Sequence, residues 1–560
     1  MMTTTQDNHF IIKNNKLLTI CLIFLFIASV GFYLYKGLRH PEMILDDAYF
    51  FIRYADNFIA GLGHAWNSDG VQVYGSTSLL HFVVVVCLRW CLPFQEYVIL
   101  QLSSSMMGFA AIFLMIIICA NYTKWWIFHK NYLFWTAILT PLFLLNDVFV
   151  FHMLSGMDTM LGVFCNALLI LFTLRLLSRW RTIDFVLLIV SAYITYLARP
   201  DNIIYAVLFP LLAVSILGNL SSKRALVIKF IIIAAVILAA DLLAKNIIFG
   251  DPLPLSFYVK QSGFYESYAG TYRWNPILFI VQFISMALPF LIILLLFCKK
   301  RNMPLLLVFL SPVVLIFLYY FSITQIMGVG ARYYLPALPF LVVSSSMVID
   351  SRLIKNPDFL KLTKKRVLIL IIIVSPITLL DNAAGLYERY ILKSIPLTDI
   401  TEYAAGCNKP LPQIGYWEAI FEVAKIAEKA PRGTVIALTE HGYISAAAPH
   451  VDIIDPLGLH DRYFAHKGFS VEEFFNRQPD FIWFPHPDYT RIVQEILKSE
   501  HLWRDYDYYP TAFDYGIAIR KSSKHFDRLM DIISESWQAN YGSIQMKDYL
   551  AEPLHAVETD

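Results

Sequence analysis

Charged residues are scarce in this chain. Only 16% of its 560 residues are Asp, Glu, Lys or Arg, whereas an ordinary soluble protein carries about 25%. The net charge is +2 and no basic arm or long charge run is present, which argues against a nucleic-acid partner. No P-loop or G-x-G-x-x-G segment follows a strand pattern, so a nucleotide-binding fold has no support.

Cysteine is also sparse. The chain has seven cysteines, and Cys407 is the only one beyond residue 385. The C-terminal part therefore cannot hold an internal disulfide. No C-x-x-C pair exists, so neither a structural zinc site nor a redox site is indicated.

Long apolar runs take the place of the missing charge. They recur until about residue 385 and then stop, which predicts a membrane part, 1–385, and a soluble domain, 386–560. Segments of about 20 apolar residues are typical of transmembrane helices. Hydropathy gives twelve candidates near 17–35, 78–92, 97–120, 132–152, 158–177, 183–198, 201–218, 225–249, 276–297, 304–323, 334–350 and 367–385.

Lysine and arginine positions decide the predicted topology. If all twelve segments cross, the basic loop 175–181 falls outside, against the positive-inside rule. Segment 78–92 is the shortest and contains Arg89, so we expect it to be interfacial or re-entrant, which leaves eleven spans. The N-terminus and the basic loops then lie inside, and the first loop, 36–77, lies outside with the soluble domain. This predicts a multi-pass protein of a bacterial inner membrane with a periplasmic C-terminal domain.

Two adjacent carboxylates, Asp46 and Asp47, follow the first span. Such groups at a membrane surface are costly unless they are solvated, paired or used. Neighbouring helical residues point about 100° apart, so the two would act differently. One is suited to take the proton of an acceptor hydroxyl, and the other to orient a group or hold a cation. The alternative is an acidic first turn that only caps a helix.

The residues around this pair resemble those of the GT-C superfamily of membrane glycosyltransferases. The closest likeness is to the branch that includes the terminal arabinofuranosyltransferases of mycobacterial cell walls. Asp158 and Leu255 stand where that pattern has Glu and Asn. The matching stretches are Asp46-Asp47-Ala48-Tyr49, Arg53-Tyr54-Ala55, Gly61, Gly63, Trp66-Asn67, Gly75-Ser76-Thr77-Ser78, Ser155-Gly156-Met157-Asp158-Thr159, Ala198-Arg199-Pro200-Asp201, Pro254-Leu255-Ser256-Phe257-Tyr258-Val259-Lys260, Gly330-Ala331-Arg332-Tyr333-Tyr334-Leu335-Pro336 and Ile453-Ile454-Asp455-Pro456-Leu457-Gly458-Leu459-His460-Asp461.

The resemblance implies a GT-C-like transmembrane catalytic domain of about 11 helices with a soluble mixed α/β domain. It implies inverting-type transfer of a sugar from a polyprenyl-phosphate donor to a cell-envelope glycan, such as lipopolysaccharide, on the periplasmic face. Some relatives with this fold use a divalent metal ion, and that stays open here, although no set of metal ligands stands out. No other cofactor is implied.

The resemblance also implies roles for single residues. Asp46 would be the general base, with Asp47 as the second candidate or a positioning partner. The leaving phosphate needs cations and oriented donors. Lys260, Arg332, Arg199, Tyr258 and Tyr333 are the candidates for that role, and Arg53, Trp66, Asn67, Asp158, Asp201 and His460 are weaker candidates for substrate contact. The alternatives are interfacial anchors for the cations and, for Arg199, pairing with Asp158 or Asp201.

The soluble domain alternates helix and strand patterns. Tyr416–Lys429 reads as an amphipathic helix before Pro431, and strands are predicted at 434–438, 451–454, 481–484 and 516–519. A tyrosine-rich stretch, 506–515, suits an aromatic core better than a sugar-binding surface.

Two other function classes compete with the enzyme. A transporter or flippase of a lipid-linked saccharide would explain many spans, but it would place charges at mid-membrane and show internal repeats, which we do not find. A non-catalytic glycan-binding relative is the second alternative. The retained Asp46, Lys260 and Arg332 disfavour it.

Overall fold

The computed structural model describes residues 16–39, 44–125, 128–218, 223–264, 275–321, 328–355 and 410–551. The predicted span 367–385, the predicted domain boundary near 385 and Cys407 lie outside these ranges.

The N-terminal part is helical, as expected for apolar runs, because a helix satisfies its backbone polar groups without water. Its helices are α1 (Lys16–Arg39), α2 (Tyr49–Ile59), α3 (Leu79–Cys91), α4 (Glu96–Tyr122), α5 (Tyr132–Leu144), α6 (Asp147–Leu154), α7 (Thr159–Arg179), α8 (Thr182–Ala198), α9 (Ile203–Leu212), α10 (Lys223–Phe249), α11 (Leu255–Gln261), α12 (Asn275–Phe297), α13 (Met303–Phe321) and α14 (Leu338–Lys355).

Within the described ranges, six helical segments are long and apolar enough to cross a membrane, or seven if the bent pair α5 and α6 is one span. This pair bends by 81°. The break has a local cause, since Asn146 caps α6 by accepting a hydrogen bond from the Phe149 N–H. The predicted count of eleven spans is not confirmed. The six segments are Glu96–Tyr122, Thr159–Arg179, Pro200–Leu217, Arg224–Phe249, Phe279–Phe297 and Lys300–Phe321.

Shorter apolar helices account for four further predicted segments. They are Ile23–Leu38, Leu79–Cys91, Thr182–Ala198 and Leu335–Ser351. Helix α3 has 13 residues, which is about 20 Å of helix, against about 30 Å for the hydrocarbon layer. That segment 78–92 lies in the interface or re-enters stays a prediction.

The loops separate into two sets at opposite ends of the helices. At one end, Asp350 accepts hydrogen bonds from the Lys124 and Trp125 N–H groups, and Arg301 donates to the Ser351 carbonyl. These are loops that the charge pattern places inside. At the other end, the loops that carry the motif residues contact the C-terminal domain. Which group of loops faces which side of a membrane stays a prediction from the charge pattern.

The C-terminal domain is a mixed α/β sheet. Its elements are α15 (Tyr416–Lys429), β1 (Val435–Ala437), α16 (Gly442–Ala447), β2 (Asp452–Ile454), α17 (Arg462–Lys467), α18 (Val471–Asn476), β3 (Phe481–Trp483), α19 (Thr490–Lys498), α20 (Glu500–Asp505), β4 (Tyr506–Tyr509), β5 (Ile517–Arg520) and α21 (Phe526–Tyr541). The strand order is β2-β1-β3-β5-β4. Strand β1 is parallel to β2 and β3, whereas β5 is antiparallel to β3 and β4.

The structure confirms the predicted helix Tyr416–Lys429 and the four predicted strands. Strand β4 was not predicted, because its sequence Tyr-Asp-Tyr-Tyr reads as an aromatic cluster. Tyr508 pairs with Ala518 across β4 and β5, and both are buried. The tyrosine-rich stretch therefore belongs to the aromatic core of the domain, as predicted from the sequence.

The first loop and the C-terminal domain share one hydrophobic core. Arg53 is fully buried and donates to the carbonyls of Trp66 (2.7 Å), Ser445 (2.9 Å) and Val451 (2.8 Å). Asn67 pairs in both directions with the backbone of Ile453 on the edge strand β2. These bonds hold the domain against the loop, so the two must lie on the same side of the membrane helices.

Candidate functional site

The aspartate pair forms a single helical turn, Asp46–Ala48, directly before α2. The two side chains have different partners. Asp46 accepts hydrogen bonds from the backbone N–H groups of Gly442 (2.9 Å) and Tyr443 (2.7 Å) at the start of α16. Asp47 instead accepts a hydrogen bond from Arg332 at 3.0 Å. Asp46 is thus directed at the C-terminal domain and Asp47 at the loop before α14.

Asp46 sits in an unusual electrostatic environment. Burial and the nearby Glu440 carboxylate together raise the pKa of its carboxyl to about 7, although the Tyr443 N–H and His441 act in the opposite direction. A carboxyl that titrates near neutral pH is suited to take up and release a proton. The backbone bonds fix its orientation at the same time.

His441, next to this carboxyl, is itself fully enclosed. Burial lowers its pKa, but the Asp455 carboxylate at 3.3 Å reverses the effect, so the net shift is upward. Neither ring nitrogen of His441 has a hydrogen-bond partner among the described residues that meets the usual geometry. The polar contact of the His441 ring is therefore its ion pair with Asp455.

Gly442 allows the close approach of the two parts. A Cβ atom at this position would lie 2.0 Å from the Asp46 carbonyl oxygen and 2.6 Å from Asp46 Oδ2. No side chain fits there without moving the backbone. No local pattern in the sequence reveals this requirement, because the partner of Gly442 lies nearly 400 positions away along the chain.

Arg332, the partner of Asp47, also lines a cavity of about 420 Å³. Three cations contribute to its wall, together with two carboxylates and several tyrosines, while aliphatic residues form the rest. The residues that line it are Thr77, Asp158, Tyr196, Arg199, Pro200, Asp201, Ile203, Ile204, Leu238, Leu242, Leu253, Pro254, Ser256, Phe257, Lys260, Gln261, Tyr319, Tyr320, Arg332 and Tyr333.

Lys260 and Arg332 meet at the ring of Tyr333. The Lys260 ammonium donates to the Tyr333 hydroxyl at 3.4 Å, and both cations lie within 6 Å of the ring centroid. Burial acts to raise the pKa of Tyr333, but Lys260, Arg332 and Arg199 outweigh it and bring the pKa below its ordinary value. The local potential is therefore positive.

These two cations retain unused hydrogen-bonding capacity. No carboxylate within the described ranges pairs with Lys260. Arg332 uses one nitrogen for Asp47, while its Nε is buried and has no partner among the described residues. Buried donors without acceptors are costly. This arrangement is one that an anion would complete.

Arg199 differs from them, because it is already paired. It forms ion pairs with Asp201 (2.9 Å) and Asp158 (3.3 Å), and Asp201 also accepts a hydrogen bond from Tyr320. The two carboxylates carry more negative charge than the one guanidinium neutralises. The alternative interpretation from the sequence, that Arg199 pairs with these aspartates, agrees with this geometry. Tyr320 gave no signal, since it stands inside a long apolar run.

The other predicted contacts lie elsewhere. Tyr258 does not line the cavity and packs on His466 of α17, with ring centroids 4.4 Å apart. Trp66 and His460 are buried and stacked, with centroids 3.9 Å apart. Along with Arg53 and Asn67, they form the contact between loop and domain. None of these five residues lines the cavity. Arg53 and Asn67 use their polar groups to hold the domain, and Tyr258, Trp66 and His460 pack their rings there.

The charged cavity continues into a second, apolar one of about 250 Å³. The two share Tyr196, Ile203 and Leu238. The second cavity follows one face of α10 from Phe230 to Leu238, against α8 and α9. Helix α10 thus offers about 18 Å of continuous apolar wall between residues 230 and 242.

Comparison with known proteins adds one match. The profile of a domain of unknown function (DUF8728) matches residues 412–528, which is most of the C-terminal sheet domain. No curated protein matches the chain. Among the described residues, no group of three or more His, Cys, Asp or Glu side chains is placed to hold a metal ion.

Proposed function

We propose that this chain is a membrane glycosyltransferase that moves a sugar from a polyprenyl-phosphate donor to an envelope glycan at the periplasmic face of the inner membrane. One observation carries the proposal. Lys260 and Arg332 converge on Tyr333 in a cavity that opens into an apolar groove. A phosphate with a long hydrocarbon tail has this combination of charge and apolar surface.

The donor phosphate would be held by the two cations. As the bond between the anomeric carbon and the phosphate oxygen breaks, the phosphate keeps the electron pair and gains negative charge. The Lys260 ammonium, and the Arg332 Nε that has no partner within the described ranges, are then the donors that stabilise it. Arg199 holds Asp158 and Asp201 in the wall of the cavity.

The acceptor hydroxyl would be activated on the side of the C-terminal domain. Its oxygen attacks the anomeric carbon from the face opposite the phosphate, which inverts the configuration, and its proton passes to Asp46. The pKa of about 7 supports this role. Asp47 keeps Arg332 in place through their 3.0 Å ion pair. It is the second candidate for the base.

The hydrocarbon chain of the donor would occupy the apolar groove along α10. Tyr193 and Tyr196 at the top of this groove contact an ion pair within α10, Asp241–Lys245, whose atoms are 2.6 Å apart. The pair joins α10 to α8 and keeps the groove walls together. The groove then directs the phosphate toward Lys260.

The test compares envelope glycans by mass spectrometry from a deletion strain that carries the wild-type gene, an Asp46→Asn copy or an Asp47→Asn copy. Asp531→Asn, on the exposed side of α21, serves as a matched control. We expect wild type and the control to restore a sugar that Asp46→Asn does not. The missing mass identifies the sugar class.

Other outcomes separate the alternatives. If all copies restore the glycan equally, neither aspartate takes part in the chemistry, and a flippase or a glycan-binding protein becomes the better explanation. If Asp47→Asn alone fails, the base is Asp47. Equal protein levels, measured by immunoblot, are required for each comparison.

A further inference from the structure

The surface of the C-terminal domain next to Asp46 carries a group of four aromatic residues. These are Tyr416, Trp417, Phe421 and Tyr443, and we call them the aromatic platform. Tyr443 contacts Asp46 directly, because its backbone N–H donates a hydrogen bond to that carboxylate. Its ring meets Phe421 edge-on with centroids 5.1 Å apart, and the Phe421 and Trp417 rings are stacked with centroids 6.1 Å apart and planes 29° apart.

The platform lies at the edge of the domain core, where Tyr416, Trp417 and Tyr443 pack against buried residues and stay partly exposed. Helix α15 buries Ala419, Ile420, Val423 and Ala427, whereas Trp417 and Phe421 lie four residues apart outside that face. Phe421 is 39% exposed, and the other three members are partly exposed. A patch of large aromatic side chains that stays partly exposed at the surface of a domain is typical of a ligand-binding surface.

Polar groups are arranged around these rings. The Tyr416 hydroxyl donates to Glu440 at 2.6 Å, and Glu440 also raises the pKa of Asp46. Glu418 is exposed and follows Trp417 in the chain. Burial and Glu428 raise the pKa of the Tyr443 hydroxyl, and Lys425 lowers it. Flat rings surrounded by carboxylates and hydroxyls suit a sugar, whose ring face stacks and whose hydroxyls donate hydrogen bonds.

The charge of this region argues against the membrane surface as the occupant. Three glutamates, Glu418, Glu428 and Glu440, accompany one lysine, Lys425, which is itself paired with Glu422. Anionic lipid headgroups attract basic clusters and repel acidic ones. An uncharged stretch of polysaccharide meets no such barrier.

We infer that the aromatic platform binds the acceptor polysaccharide and leads its terminal sugar to Asp46. This inference rests on the proposed function for the identity of the acceptor. The platform and the cation-lined cavity contact different members of the aspartate pair, since Asp46 accepts from Tyr443 and Asp47 pairs with Arg332. Donor and acceptor would therefore approach from different sides.

Binding is measured on the full-length chain in detergent, by microscale thermophoresis, with delipidated envelope polysaccharide purified from the deletion strain. Replacing Trp417 and Phe421 together by Ala is expected to weaken binding roughly ten-fold. Tyr463→Ala, a 41% exposed aromatic residue of the same domain, is the matched control and keeps wild-type affinity. Phe421→Ser alone serves if the double variant does not fold. Affinity within two-fold of wild type in a folded variant would overturn the inference.

Initial rates separate binding from positioning. With rising polysaccharide concentration, the platform variant should show a higher KM and an unchanged kcat, whereas a fall in kcat alone would contradict an acceptor site. Asp46→Asn distinguishes the two proposals. It should still bind the polysaccharide and lose transfer. If wild type binds through the platform but transfers no sugar, the proposed function fails and the platform stands.

Discussion

The contact between the first loop and the C-terminal domain differs from the cation-lined cavity in how its polar groups are used. In the contact, Arg53 and Asn67 donate to backbone carbonyls. In the cavity, Lys260 has no carboxylate partner among the described residues, and Arg332 keeps a buried Nε without an acceptor. The residues of the matching motifs therefore form two groups. One group holds the loop and the domain together, and the other keeps hydrogen-bonding capacity for a ligand.

The largest effect is expected at the contact. Arg53→Ala removes the donors to four backbone carbonyls, those of Trp66, Ser445, Ala448 and Val451, within a fully buried space. Breaking a buried charged network costs about 3–5 kcal/mol. We expect loss of folded protein, measured by fluorescence-detected size-exclusion chromatography. Arg491→Ala, whose side chain is exposed, should behave as wild type. A stable Arg53→Ala protein would show that the contact is not essential.

The second prediction concerns the cavity. Lys260→Ala should leave folding unchanged and lower kcat about 10²–10³-fold, since it removes a donor to the leaving phosphate. Lys260→Arg should keep part of the activity, because the positive charge remains. Thermal unfolding in detergent provides the control. A large loss of stability in Lys260→Ala would place this residue with the structural group.

A smaller effect is expected where the two regions join. Gly442→Ala puts a Cβ atom into the Asp46 backbone and should displace the carboxylate, at a cost of about 1–3 kcal/mol. We expect transfer to fall roughly ten-fold or more while the protein still folds. Gly31→Ala, where a Cβ meets nothing within 4 Å, is the matched control. Equal activity of the two variants would exclude a role for this close approach.

The smallest predicted change is in pH dependence. Asp46 must be ionised to accept a proton, so transfer should be lost as the pH falls through about 7. Glu440→Gln removes a charge that raises this pKa, and we expect the acid limb to move to lower pH by a few tenths of a unit. An unchanged pH–rate profile in this variant would argue against Asp46 as the base.

The same shift affects stability with a definite sign. The pKa of Asp46 is raised on folding, so the folded state binds its proton more tightly than the unfolded chain does. This contribution is full below a pH of about 4 and is lost as the pH rises to about 7. The contact between loop and domain should therefore be weaker at neutral pH than at pH 5.

Much of the architecture could be predicted from the sequence. The helix Tyr416–Lys429 and four strands of the sheet were recognisable because their apolar residues repeat at helical or strand spacing. Strand β4 was missed, since its tyrosines have no such alternation. Among the site residues, Lys260, Arg332 and Tyr333 lie together in the cavity, whereas Tyr258 and His460 contact other parts of the domain.

The sequence by itself determined where the apolar helices lie, that a mixed α/β domain follows them, and which residues carry charge near the ends of the helices. These properties depend on composition and on short spacings along the chain. Tertiary structure alone decided the partners. It directed Asp46 to Gly442 and Asp47 to Arg332, and it used the polar groups of Arg53 for docking. Such pairings join positions hundreds of residues apart, and no local pattern records them.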